Sequence, residues 1–172
     1  MRKPLLILSL VGLLTAAFVA PAAAARPDAA GRPTLASVAI GINAQSGEFS
    51  TLLAAVTACD LVGALSGKTQ LTVFAPTDAA FAELGITAAT FATGCPDGIT
   101  DILLYHVAPG RWSAGRLIDN AGGSVPTLNG SALSVSVADG SVFVDDSRVI
   151  IANVNSSNGF IHAIDAVLLP GS

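Results

Sequence analysis

Two rhythms of apolar and polar positions divide the chain. In the first half the apolar spacing is helical. Phe49, Leu52, Leu53 and Val56 fall at i, i+3, i+4 and i+7, which puts them on one helical face. Ser46 or Gly47 is the expected start of this helix, with Glu48 in its first turn. A shorter apolar stretch, Leu61 to Leu65, stops at Ser66-Gly67. Leu71 to Phe74 reads as a strand that Pro76 ends. Thr77 then stands where a hydroxyl can accept from backbone N–H groups two or three residues on, and Asp78 sits at the positive end of the helix dipole. The spacing predicts a helix over Ala79 to Leu84, with Phe81 and Leu84 on one side and Gly85 as its stop. A second apolar helix is expected over Asp101 to Val107, stopped by Pro109-Gly110, and a helical turn over Ser113 to Ile118.

From Thr127 the period changes to two. Leu133, Val135 and Val137 alternate with Ser134 and Ser136. Asp139-Gly140 is a hairpin signal leading into Val142 to Val144. Asp145-Asp146-Ser147 turns into Val149 to Val154, and Asn155 to Gly159 turns into Phe160 to Leu169. Helices first and an antiparallel meander afterwards make an α+β layout, not an alternating βαβ one.

The opening residues carry a different message. Arg2-Lys3, an apolar run from Leu5 to Ala20, and small residues ending at Ala23 and Ala25 read as a secretory signal peptide over residues 1–25. Residues 26–34 are small, polar and Pro/Gly-bearing, as in a flexible leader. Removing residues 1–25 moves the net charge from −4 to −6. That acid excess opposes nucleic acid and anionic lipid, and the apolar share of 52% with 12% charged residues excludes disorder as the main state. No second run of spanning length follows, so no transmembrane segment is expected in the mature chain. Cys59 and Cys95 meet an oxidising compartment in an exported protein and are read as a disulfide; the alternative is two buried free thiols.

Catalytic parts are scarce. His106 and His162 are the two histidines, and with Asp78 and Asp165 they are the candidates for a zinc site, but nothing local links them. Gly67-Lys68-Thr69 lacks the earlier glycine of a phosphate loop, since residue 62 is Val62. No serine is marked as a nucleophile beside a base, so no metal, cofactor or enzymatic activity is expected. Asn129-Gly130-Ser131 and Asn155-Ser156-Ser157 fit the N-glycosylation pattern and equally fit turns.

Four stretches taken in order say more. Thr72-Val73-Phe74-Ala75-Pro76-Thr77-Asp78-Ala79-Ala80-Phe81 resembles the first signature of fasciclin domains. Ile102-Leu103-Leu104-Tyr105-His106-Val107 resembles their central Tyr-His motif, and Val125 to Gly130 their link into the sheet. Asn158 to Pro170, with Phe160-Ile161-His162-Ala163-Ile164-Asp165, resembles their closing signature. The resemblance covers residues 35–170 and implies a wedge of two small β-sheets with helices packed around it. It also implies an extracellular, non-catalytic module for cell adhesion or surface interaction, with a cell-surface or matrix protein or glycan as partner.

The family's adhesive motif falls on Tyr105 and His106. The helix around them is strongly apolar, so packing is the expected role, and an adhesive surface is then sought near Trp112, beside Arg111 on the Pro109-Gly110 turn. Some relatives in this family bind small apolar molecules such as carotenoids, so a carrier of a carotenoid-like molecule or lipid is the alternative function.

Overall fold

The structure, a computed structural model, describes residues 33–171; the expected signal peptide and most of the expected leader lie outside them. Helices α1 (Leu35–Ser46), α2 (Ser50–Ala58) and α3 (Val62–Leu65) lead to strand β1 (Leu71–Pro76). Helix α4 (Asp78–Glu83), a 3-10 turn (Ala88–Phe91) and α5 (Ile99–Tyr105) follow, then β2 (Val107–Pro109) and α6 (Ala114–Asp119). Strands β3 (Ser124–Pro126), β4 (Ala132–Ala138), β5 (Ser141–Val144), β6 (Ser147–Ser156) and β7 (Gly159–Ile164) complete the chain.

The strands join in the order β2-β1-β7-β6-β5-β4-β3. The two halves implied by the resemblance are connected through β6. Its first residues pair with β5, at Phe143↔Arg148 and Val144↔Ser147, while the rest of the strand pairs with β7. Register shifts between Val149 and Val154 mark bulges, which bend a strand and let one half of the sheet turn away from the other. The meander from β4 to β7 is antiparallel as its alternation indicates, but β7 lies parallel to β1, with Phe74 opposite His162.

This topology buries β1 on both faces. Leu71, Val73 and Ala75 face one core with Phe49, Leu52 and Leu103, and Phe74 faces a second core with Leu117, Val125, Leu133 and Ile164. A strand covered on both sides is apolar along its length instead of alternating. At the far ends of the sheet, Leu128 N–H donates to Val107 O at 2.8 Å, so the β2 end is met by the segment that follows β3.

Three polar residues hold the boundaries of α1, α2 and α3. Thr34, assigned to the leader by composition, accepts from Ser37 N–H and caps α1, while Pro33 O accepts from Ser157 N–H. Gly47 does not open the second helix; at φ 72° it closes the first, whose existence the periodicity did not signal. Helix α2 then begins at Ser50 behind Phe49, which has no capping oxygen. The cap comes from across the fold: Asp78 Oδ1 accepts from Thr51 N–H at 2.8 Å and Oδ2 from Ser50 N–H at 3.2 Å. Asn158 does similar work in the interior. Its Oδ1 accepts from Leu35 N–H, and its Nδ2 donates to Leu65 O and Gly67 O.

Thr77 caps α4, its Oγ1 accepting from Ala80 N–H at 3.3 Å. Thr77→Ala is therefore expected to cost about 1 kcal/mol, and Thr77→Ser much less, because serine keeps the acceptor. Equal losses for both in a denaturant titration would assign the effect to the methyl group. Leu84 does not share the buried side with Phe81; it lies past the last helical turn and is 44% exposed.

Candidate functional site

The Tyr-His segment sits where α5 gives way to β2. The apolar run suggests helix through Val107, but Val107 pairs with Val73 and belongs to the sheet. His106 is the hinge between the two, and both its ring nitrogens are engaged. Nδ1 lies 2.7 Å from Ile102 O, and Nε2 accepts from Leu168 N–H at 3.0 Å. Because Nε2 must accept, the proton resides on Nδ1 and the ring is neutral. Burial pushes its pKa down to about 4, against the smaller opposing pulls of the Ile102 carbonyl and the Asp145 charge.

Tyr105 is also buried, and its hydroxyl donates to Asp145 Oδ2 at 2.9 Å. Burial first, then this hydrogen bond and the carboxylate charge, hold the phenol pKa up at about 12. Asp145 occupies the β5–β6 turn at φ 52°, where Oδ1 accepts from Ser134 N–H. Tyr105 and His106 thus fasten α5 to two distant points, the β5–β6 turn and the segment after β7.

Trp112 lies at the opposite end of β2, in the loop between Pro109 and α6. Its ring is half-buried, and every polar group of the residue is used. The backbone N–H donates to Thr72 Oγ1 at 2.8 Å, the indole N–H donates to Pro109 O at 3.0 Å, and the carbonyl faces His162 Nε2 at 2.7 Å. Thr72 is fully buried, and its hydroxyl in turn donates a hydrogen bond to Gly110 O at 2.8 Å. His162 Nδ1 lies 3.4 Å from Asn153 N–H and acts as acceptor there, so Nε2 carries the proton; burial lowers the pKa of this ring as well, partly offset by the Trp112 carbonyl.

Two arginines flank this loop. The Arg116 guanidinium stands 4.5 Å from the Trp112 ring centroid, and that of Arg111 stands 4.5 Å from the Phe160 ring centroid, both within cation–π range. Trp112 and Arg116 are four residues apart, a signal the sequence does carry. Arg111 and Phe160 meet only because β7 lies beside β1.

Cys59 and Cys95 form the expected disulfide, with Cα atoms 4.8 Å apart. It ties the C-cap of α2 to the loop before α5. Of the two glycosylation-type asparagines, Asn129 donates to Asp101 O and Asn155 accepts from Arg111. Among the described residues, no three of His, Cys, Asp and Glu gather in a way that could hold a metal. No helix among them is long and apolar enough to cross a membrane.

A separate feature lies between the helices and the sheet. A cavity of about 120 Å³ opens among Leu35 and Ala39 of α1, Leu52 and Val56 of α2, Leu103 of α5 and Ile161 of β7. Its rim includes Ile40, Val62 and Leu128, all more than a third exposed.

The sequence model of the fasciclin domain matches residues 47–170. The chain belongs to the fasciclin domain family. Protein sll1483 of Synechocystis is 48% identical over 124 residues, which cover 71% of this chain and 67% of that protein. The transforming growth factor-beta-induced protein ig-h3 of Sus scrofa is 35% identical over 126 residues, covering 72% of this chain but 18% of ig-h3. This fasciclin domain thus corresponds to about two thirds of the first relative and to a small part of the second. The solved structure of a FAS1 domain pair from the insect cell adhesion molecule Fasciclin I superposes with a TM-score of 0.61 at 18% identity, over 80% of this chain and 51% of that one. The shared fold is therefore that of a FAS1 domain, α+β with helices packed on the sheet.

Proposed function

We propose that the chain is an exported, non-catalytic interaction module that contacts a cell-surface or matrix partner through the loop centred on Trp112. The family, which includes adhesion and extracellular proteins, supports the general role. The observation that carries the choice of surface is the way Trp112 is held: a partly buried aromatic residue fixed by three hydrogen bonds, with an arginine over its ring. Tryptophan and arginine are the side chains that most often dominate contact energies, and a ring fixed beforehand loses little freedom on binding. Tyr105 and His106, by contrast, are given a part in holding the fold, since their polar atoms are spent inside it.

Paired measurements of attachment and melting test this reading. His106→Ala leaves the buried Leu168 N–H without its partner and is expected to cost roughly 1–3 kcal/mol, with attachment of the folded protein retained. Trp112→Ala is expected to weaken attachment to cell-surface material from the native source, while the melting temperature moves less than in His106→Ala. A stable His106→Ala protein that no longer attaches overturns the assignment.

The apolar cavity favours a second reading, a carrier of a small apolar molecule. A dry cavity of roughly 150 Å³ is enough to hold a benzene-sized group. At about 120 Å³ this one suits the end of a longer apolar chain or ring system more than a whole drug-sized molecule. A visible absorption spectrum and a solvent extract of protein purified from its native source decide it: colour or a stoichiometric lipid supports the carrier, and a clean extract counts against it.

A further inference from the structure

We infer that the surface formed by Arg111, Trp112, Arg116 and Phe160 recognises an acid-bearing polysaccharide, a ligand of sugar rings carrying sulfate or carboxylate groups. This rests on the proposal that the Trp112 loop is the contact surface, and it names the chemistry of the partner.

The first observation is charge. The described residues contain four basic side chains, Lys68, Arg111, Arg116 and Arg148, and two of them converge here. Neither is neutralised by the groups that hold it. Arg111 donates from Nη1 to Gln70 Oε1 at 3.3 Å and from Nη2 to Asn155 Oδ1 at 2.9 Å, both uncharged amides. Arg116 donates to the backbone O of Arg111. Asp119 follows three residues on in α6, yet the Arg116 guanidinium is directed over the indole instead. Two guanidinium forks with charge to offer match anionic oxygens in pairs.

The second observation separates a sugar from a merely acidic partner. Gln70 and Asn155 accept from Arg111 through their oxygens, which leaves their NH₂ groups as donors on the exposed surface. Neutral amide donors beside two half-buried aromatic rings suit hydroxyl groups and the apolar faces of sugar rings. A carboxylate-rich peptide would need the cations alone.

The third is rigidity. The loop is tied on both sides, by Gly110 N–H to Gln70 O at 2.7 Å and by Trp112 to Thr72 and His162. The cations are therefore placed before the ligand arrives, and little ordering remains to be done on binding. The overall acid excess acts at long range, where physiological salt screens it beyond about 8 Å, so a local cationic surface operates within it.

The test uses the full-length protein with immobilised dextran sulfate, uncharged dextran and polyglutamate. Binding to dextran sulfate is expected, weakening as NaCl rises, with none to uncharged dextran and at least tenfold weaker binding to polyglutamate. Arg111→Gln/Arg116→Gln is expected to lower dextran sulfate affinity at least tenfold, and Arg116→Gln alone, on an exposed helix position, by about threefold. Lys68→Gln and Arg148→Gln are expected to leave it unchanged, and melting curves confirm that each variant is folded. Absence of binding to dextran sulfate, equal binding by the double arginine variant, or polyglutamate bound as tightly as dextran sulfate overturns the proposal. The attachment assay separates it from the reading beneath it. If dextran sulfate is not bound while Trp112→Ala still weakens attachment, the polysaccharide falls alone; if attachment is indifferent to Trp112→Ala, both fall.

Discussion

Loss of the Cys59–Cys95 bond is expected to lower the unfolding free energy by about 4 kcal/mol. The bond closes a loop with a sequence separation of 36 residues, and that loop contains α3, β1, α4 and the 3-10 turn. Strand β1 is the element on which both cores rest. Without the bond, the unfolded chain regains the freedom of this loop, and β1 must find β7 from a larger set of conformations. Denaturant titration of Cys59→Ala/Cys95→Ala against the oxidised parent measures the difference. A loss below about 1 kcal/mol would show that the unfolded chain already keeps these segments together.

A comparable loss is expected on acidification, and its sign follows from the two neutral histidines. His106 titrates near 6.5 when unfolded and near 4 when folded. Between those values the unfolded chain takes up a proton that the folded one refuses, so stability is complete above the unfolded value and declines as the pH falls through the window. The loss reaches about 2 kcal/mol at pH 5 and about 3 kcal/mol at pH 4, below which it levels off. His162 shifts in the same direction and adds to it. Carboxylates titrate mainly below pH 5, so urea titrations between pH 7.5 and 5 isolate the histidines. His106→Gln should flatten the dependence over that range; a parent protein of constant stability there would contradict the assigned tautomers.

What the sequence makes legible depends on how near the deciding partner lies. The Thr77 cap, the Asp139-Gly140 hairpin and the α6 start at Ser113 are decided within four residues, and each is readable. The end of α5 is decided by Val73, whose pairing draws Val107 out of a run that looks helical. The start of α2 is decided by Asp78, 27 residues past Thr51. Helix α1 escapes notice because only Leu35 and Ala36 of its residues are fully buried, so no apolar stripe announces it. At the candidate site, Trp112 and Arg116 are visible as neighbours four residues apart, but Phe160 and His162 arrive through the parallel pairing of β7 with β1, which nothing local encodes, and they bring Asn155 with them from the neighbouring strand β6.

The ends of the sheet carry one more consequence. Strands β2 and β3 are three residues long and finish at Pro109 and Pro126, and Val107 O is already taken by Leu128 N–H. A proline offers no N–H, and a short occupied edge gives an incoming extended segment almost no backbone to pair with. A partner or a second copy therefore finds little backbone to pair with at β2 or β3. Recognition at these two ends is left to side chains, a mode that single substitutions can retune without touching the sheet.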